Sequence, residues 1–161
     1  MSTRVLLIDS EPLVCERLRR KLKRQDYYVR WARDGRGSVH KADLPQIDLL
    51  LIDLDAPPAE SLEILSRIAE LNPILRAVGL TERTDLPAAA FCTGLSALVE
   101  KPIDEGGLLL VMEELLMRAP NERGSVRLVP RKTVNLQQVV RCQPAERNIY
   151  PAAYSGWGIN E

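Results

Sequence analysis

Between residues 4 and 118, short unbroken apolar runs alternate with stretches whose apolar positions recur every three or four residues. Unbroken runs predict strands buried on both faces, and the longer spacing predicts helices that cover them. Val5 to Ile8, Tyr28 to Ala32, Leu49 to Ile52, Leu75 to Leu80 and Ala97 to Val99 read as five strands. Between them lie a helix opened by Pro12 with Val14, Leu18 and Leu22 on one face, and a weak helix near Ser38 to Ala42. A helix over Glu60 to Leu71 turns Leu62, Leu65, Ile68 and Ala69 inward, and Asn72-Pro73 ends it. A short alanine-rich helix from Leu86 to Thr93 and a last one over Leu108 to Met117 complete the series. Strand and helix in strict alternation predict an α/β domain with a parallel sheet between helical layers and right-handed crossovers.

The pattern changes after Arg118. Residues 119–161 hold four prolines, and only Val134 to Val140 has enough apolar content for a further short element, strand or helix. Two units are therefore expected: a domain over 1–118 and a basic, loosely packed tail over 119–161 that is too short and too broken for a DNA-reading output domain. Tyr150, Tyr154 and Trp157 give that tail three of the chain's aromatics and a candidate docking motif.

Charge and composition narrow the function classes. Lys and Arg number 22 against 22 acids, a balance that argues against a nucleic-acid coat protein or a polybasic membrane module. The zero is a cancellation, with +3 on the tail and −3 on the preceding residues, which permits the tail to lie back on the body. Cys15, Cys92 and Cys142 are scattered and His40 is the only histidine, so neither a disulfide framework nor a zinc site is expected. The run from Val5 to Ile8 is too short for a leader or a bilayer span, and a cytoplasmic location is expected. Arg17, Arg19, Arg20, Lys21, Lys23 and Arg24 read as the solvated face of the first helix.

In an open α/β sheet, ligands bind beyond the carboxyl ends of the strands. Those ends carry Asp9, Ser10 and Glu11 after the first strand, Asp53, Leu54 and Asp55 after the third, Thr81 after the fourth and Lys101-Pro102 after the fifth. Clustered carboxylates repel one another, and a hard cation such as Mg2+ relieves them. An aspartate nucleophile, a hydroxyl and an ammonium beside such a cation have the chemistry of phosphoryl transfer.

These residues, read with the segments Asp48 to Pro57, Val78 to Thr81 and Glu100 to Ile103, resemble the receiver domain of two-component response regulators across residues 4–118. The separations of 44 residues from Asp9 to Asp53, 28 to Thr81 and 20 to Lys101 fit as well. The resemblance implies a three-layer flavodoxin-like fold with strand order 2-1-3-4-5. It implies that Asp53 accepts a phosphoryl group from a histidine kinase or phosphotransfer protein, while Thr81 and Lys101 engage that group. Mg2+ would be held by Asp9, Asp53 and the backbone carbonyl of Asp55, with Glu11 a further candidate, and the Lys101–Pro102 bond would be cis. Output would run through contacts with a downstream protein rather than DNA, and slow self-catalysed phosphotransfer and dephosphorylation would be the only chemistry.

Three positions depart from the family pattern. Ser10 replaces a metal-binding acid, which predicts weaker Mg2+ binding; Leu98 replaces the aromatic that rotates on activation; and Asp55 puts an extra carboxylate beside the phosphoacceptor. Ser10 and Leu98 favour an alternative, a pseudo-receiver that binds partners without phosphate. A haloacid-dehalogenase-like phosphatase also uses an Asp-Leu-Asp motif of this kind, but normally on its first strand. Trp31, on the second strand, is not expected to report on the site directly.

Overall fold

The computed structural model describes residues 2–34, 44–55, 58–83, 94–118, 125–129 and 139–141. The expected helices near 38–42 and 86–93, His40 and the aromatics of the tail lie outside them. Strands β1 (Arg4–Ile8), β2 (Tyr28–Ala32), β3 (Leu49–Asp53), β4 (Arg76–Thr81) and β5 (Ala97–Glu100) form the expected parallel sheet, in the order β2-β1-β3-β4-β5. Helices α1 (Pro12–Lys23), α2 (Pro58–Leu71) and α3 (Glu105–Met117) lie between or after them.

Alternation along each strand sorts the core into two layers. Leu6 and Ile8 of β1, with Leu50 and Ile52 of β3, face Leu62, Leu65 and Ile68 of α2. Val5 and Leu7, with Leu49 and Leu51, face Cys15, Leu18 and Leu22 of α1 and Leu108, Val111, Met112 and Leu115 of α3. Every residue of β3 is buried, whereas β2 at the sheet edge buries only Ala32. Two strands with period-2 side chains and helices on both faces explain why Val5 to Ile8 and Leu49 to Ile52 carry no polar residue.

Local chemistry sets the ends of the elements. Pro12 opens α1, where a missing N–H costs nothing. The Asp104 carboxylate caps α3 by accepting from the backbone N–H groups of Gly106 and Gly107, both at 3.2 Å. Gly94, just before β5, sits at φ +97°, a conformation open to glycine, and a Cβ there would lie 2.7 Å from that of Ala69.

The sheet does not stop at β5. Strand β6 (Ser125–Val129) pairs parallel with β5, in the register Ala97↔Arg127, Leu98↔Leu128 and Val99↔Val129. Strand β7 (Val139–Arg141) then pairs antiparallel with β6. No element was expected over 125–129; β7 falls at the end of the apolar segment 134–140 and is a strand. Proline interrupts the periodicity around β6, so its pattern is weak, and the unpaired edge of β5 supplies what its own sequence lacks.

Candidate functional site

The parallel strands put their carboxyl ends on one edge of the sheet, and the side chains expected there converge. Asp53 closes β3, Thr81 closes β4, and Lys101 follows β5; their backbones are neighbours through the register Asp53↔Leu80 and Thr81↔Glu100. Lys101 Nζ lies 2.7 Å from Asp53 Oδ1 and 3.2 Å from Asp55 Oδ2. Thr81 Oγ1 donates to Asp55 Oδ1 at 2.7 Å, and the backbone N–H of Asp55 donates to Asp53 Oδ1 at 3.0 Å. The Lys101–Pro102 peptide bond is cis.

Asp9 enters from β1. Its Oδ1 accepts from the backbone N–H of Glu11 at 2.8 Å, while its buried Oδ2 has no hydrogen-bond partner. Burial, first, and the nearby Asp53 carboxylate push the Asp9 pKa up against the opposing pull of the Glu11 N–H and Lys101. Lys101 is tied differently. Burial would lower its pKa, but the hydrogen bonds and charges of Asp53 and then Asp55 outweigh that and raise it. Cys15, under the Asp9 loop, has its thiol pushed up to about 12 by burial and by the carboxylates of Asp9, Asp53 and Glu11.

Glu11 and Ser10 are exposed, and Glu11 reaches the site through its backbone N–H rather than its carboxylate. Leu98 is buried across from Gly79, where a Cβ would meet its Cδ1 at 3.0 Å. The missing side chain at Gly79 leaves the space that Leu54, Leu95 and Leu98 fill. Of the basic face of α1, Arg17 and Lys21 reach Glu105 at the start of α3, at 3.3 and 3.9 Å.

One neighbour of the site was not anticipated. The indole of Trp31, at the end of β2, donates from Nε1 to the backbone carbonyl of Asp9 at 2.9 Å. Trp31 therefore touches the acidic loop directly, against the expectation that it stands apart. Its acceptor is a backbone atom of the loop that follows β1, which no residue pattern reveals.

The donor set suits a hard cation. A buried carboxylate oxygen without a donor is costly to leave alone, and Asp9 Oδ2 is such an atom beside a second carboxylate, Asp53. Among the described residues no group of three or more His, Cys, Asp or Glu side chains is placed to hold a metal unaided. Mg2+ needs fewer, since it keeps several waters and is commonly held by one or two carboxylates.

An open parallel sheet with an acidic pocket and a lysine at its strand ends defines a class of phosphate-handling α/β domains. Comparison narrows it: residues 5–113 match the response regulator receiver domain family, and the chain belongs to that family. The transcriptional regulatory protein TrcR of Mycobacterium tuberculosis is 29% identical over 118 residues, covering 72% of this chain. The chain spans only 46% of TrcR and 31% of GlrR of Escherichia coli, itself a transcriptional regulatory protein. The signal receiver domain of an HD domain-containing protein from Pseudomonas fluorescens superposes with a TM-score of 0.64 at 27% identity, covering 72% of this chain and 95% of that one. CheY in a CheX–CheY–BeF3–Mg complex from Borrelia burgdorferi shares the fold, with a TM-score of 0.65 at 21% identity and coverage of 72% and 90%. Receiver domains are signalling modules that bind Mg2+ in an acidic pocket and interact with kinases and phosphotransfer proteins. Among the described residues no helix is long and apolar enough to cross a membrane.

Proposed function

We propose that this chain is a phosphorelay receiver in which Asp53 takes a phosphoryl group from a histidine kinase or histidine phosphotransfer protein. The observation that carries this reading is the 2.7 Å pairing of Lys101 Nζ with Asp53 Oδ1, beside the partnerless Asp9 Oδ2. An Asp53 carboxylate oxygen attacks the phosphorus, a P–O bond forms, and the P–N bond of the donor breaks with its electron pair going to the histidine nitrogen. Lys101 neutralises charge on the transferred group, and the Thr81 hydroxyl donates to one of its oxygens. Asp9 and Asp53, with the backbone carbonyl of Asp55, would hold Mg2+, which when bound supplies charge neutralisation at the phosphoryl oxygens. With Ser10 exposed and unable to supply a carboxylate, that binding is expected to be weak. Slow self-dephosphorylation would be the only other chemistry.

In this reading the receiver, together with its β6–β7 segment, acts as a single signalling unit in the cytoplasm. Its output is contact with a downstream protein, not DNA, through the surface around β4, β5 and α3. The test is a mass measurement on the full chain with Mg2+ and a small phosphodonor. Gain of one phosphoryl group, absent in Asp53→Asn, is the expected result, and no gain in the unsubstituted chain overturns it.

A second reading, partner binding without phosphate, is favoured by one observation: Thr81 and Lys101 already engage the carboxylate of Asp55. Partner affinity unchanged by the phosphodonor would support it.

A further inference from the structure

The phosphotransfer reading uses only the backbone carbonyl of Asp55, yet the Asp55 side chain is the most heavily bonded group in the pocket. Its Oδ1 accepts from the Thr81 hydroxyl at 2.7 Å and from the Glu82 backbone N–H at 3.1 Å. Its Oδ2 accepts from the same N–H at 2.9 Å and faces Lys101 Nζ at 3.2 Å. A hydroxyl, a backbone N–H and an ammonium drawn from β4, the turn after it and the end of β5 thus converge on one anion. That donor set is what the oxygens of a phosphoryl group require.

The anion they meet is part of the chain. Asp55 is two residues beyond Asp53, and the Asp55 N–H bonded to Asp53 Oδ1 fixes the turn that carries its carboxylate into the donors. Lys101 is shared between the two carboxylates, 2.7 Å from one and 3.2 Å from the other. A phosphoryl group on Asp53 would bring further negative charge to the same lysine and the same hydroxyl, and would meet Asp55 as a like-charged competitor.

Building on the reading of Asp53 as phosphoacceptor, we propose that the Asp55 carboxylate is a resident stand-in for the phosphoryl group. It occupies the donors of Thr81, Glu82 and Lys101, ties the ends of β4 and β5 together in the unphosphorylated protein, and must be displaced before an aspartyl phosphate can use them. The side chain therefore sets the sensitivity of the switch. A chain with Asp55 intact resists phosphorylation and rests with Thr81 already engaged.

The test compares the full-length chain with Asp55→Ala and Asp55→Asn, the second keeping size and one accepting oxygen without the charge. Two readouts are taken: the initial rate of phosphoryl uptake from a small phosphodonor with Mg2+, by intact mass, and hydrogen exchange at the Glu82 amide without donor. Expected are uptake faster by about tenfold in Asp55→Ala, the size of one charge-assisted hydrogen bond, a smaller gain in Asp55→Asn, and a Glu82 amide that exchanges faster in Asp55→Ala. Uptake by Asp55→Ala equal to or slower than that of the unsubstituted chain overturns the stand-in role and leaves Asp53 as acceptor. If no form takes up phosphate, the phosphoacceptor reading fails instead. The Glu82 amide then decides alone: faster exchange in Asp55→Ala upholds the engagement by Asp55, and unchanged exchange overturns it.

Discussion

The indole N–H of Trp31 donates to the backbone carbonyl of Asp9 at 2.9 Å, joining the edge strand β2 to the acidic loop of the pocket. Asp9 supplies the partnerless oxygen on which a cation would be held, so movement of that loop is transmitted to the indole. Trp31 emission is expected to change on adding Mg2+, and further with beryllofluoride. The change should vanish in Trp31→Phe, although Trp157 still emits. Loss of the hydrogen bond should cost about 1 kcal/mol of stability, measured by urea unfolding.

Asp9→Asn should stabilise the protein while weakening Mg2+ binding. An acid whose folded pKa is raised binds more protons folded than unfolded between its two values. The Asp9 contribution to stability therefore falls as pH climbs from ~3.9, the ordinary aspartate value, through the folded value. The amide carries no charge to desolvate, so Asp9→Asn is expected to gain about 1 kcal/mol at neutral pH and nothing at the acid end of the window. Unfolding followed at several pH values, with Mg2+ titrated calorimetrically, checks both halves; a variant less stable than its parent at pH 7 contradicts the assignment.

At Gly94 the backbone lies at φ +97° and an added Cβ would meet that of Ala69 at 2.7 Å. Gly94→Ala strains both the backbone and the contact with α2, and a loss of about 2 kcal/mol is expected from thermal or urea unfolding. Gly79→Ala offers a contrast. The atoms it would meet are the ends of the Leu54, Leu98 and Leu95 side chains, which turn aside more readily than backbone, so a smaller loss is expected.

Strand β6 lies between β5 and β7, and Arg127 is paired with Ala97 on one side and Val139 on the other, so Arg127→Pro removes a ladder hydrogen bond whichever way its N–H points. Hydrogen exchange should quicken along β5, from Ala97 to Glu100, and remain unchanged along β1 and β3, which lie further along the sheet. Equal β5 protection in both forms would mean that β6 does not cover that edge in solution.

The five strands and three α-helices described within the first 118 residues were legible because alternation and three-to-four spacing are local, and because both core layers need those periods. The site residues were legible for a related reason. A parallel sheet must put all its carboxyl ends on one edge, so polar residues that end apolar runs meet whatever the details of packing. Strand β6 was not legible, since its support is the edge of β5 rather than its own pattern.

By itself, then, the sequence determined that Asp9, Asp53, Asp55, Thr81 and Lys101 would share one edge of the sheet. Which of them bond to which was decided only in three dimensions. Asp55 takes Thr81 and part of Lys101, Asp9 keeps an oxygen without a donor, and Trp31 closes on a carbonyl 22 residues away in the chain. Each of these depends on ångström-scale register between strands and on backbone atoms that every residue possesses. Residue identity constrains chemistry, but it says nothing about which backbone group a side chain will face.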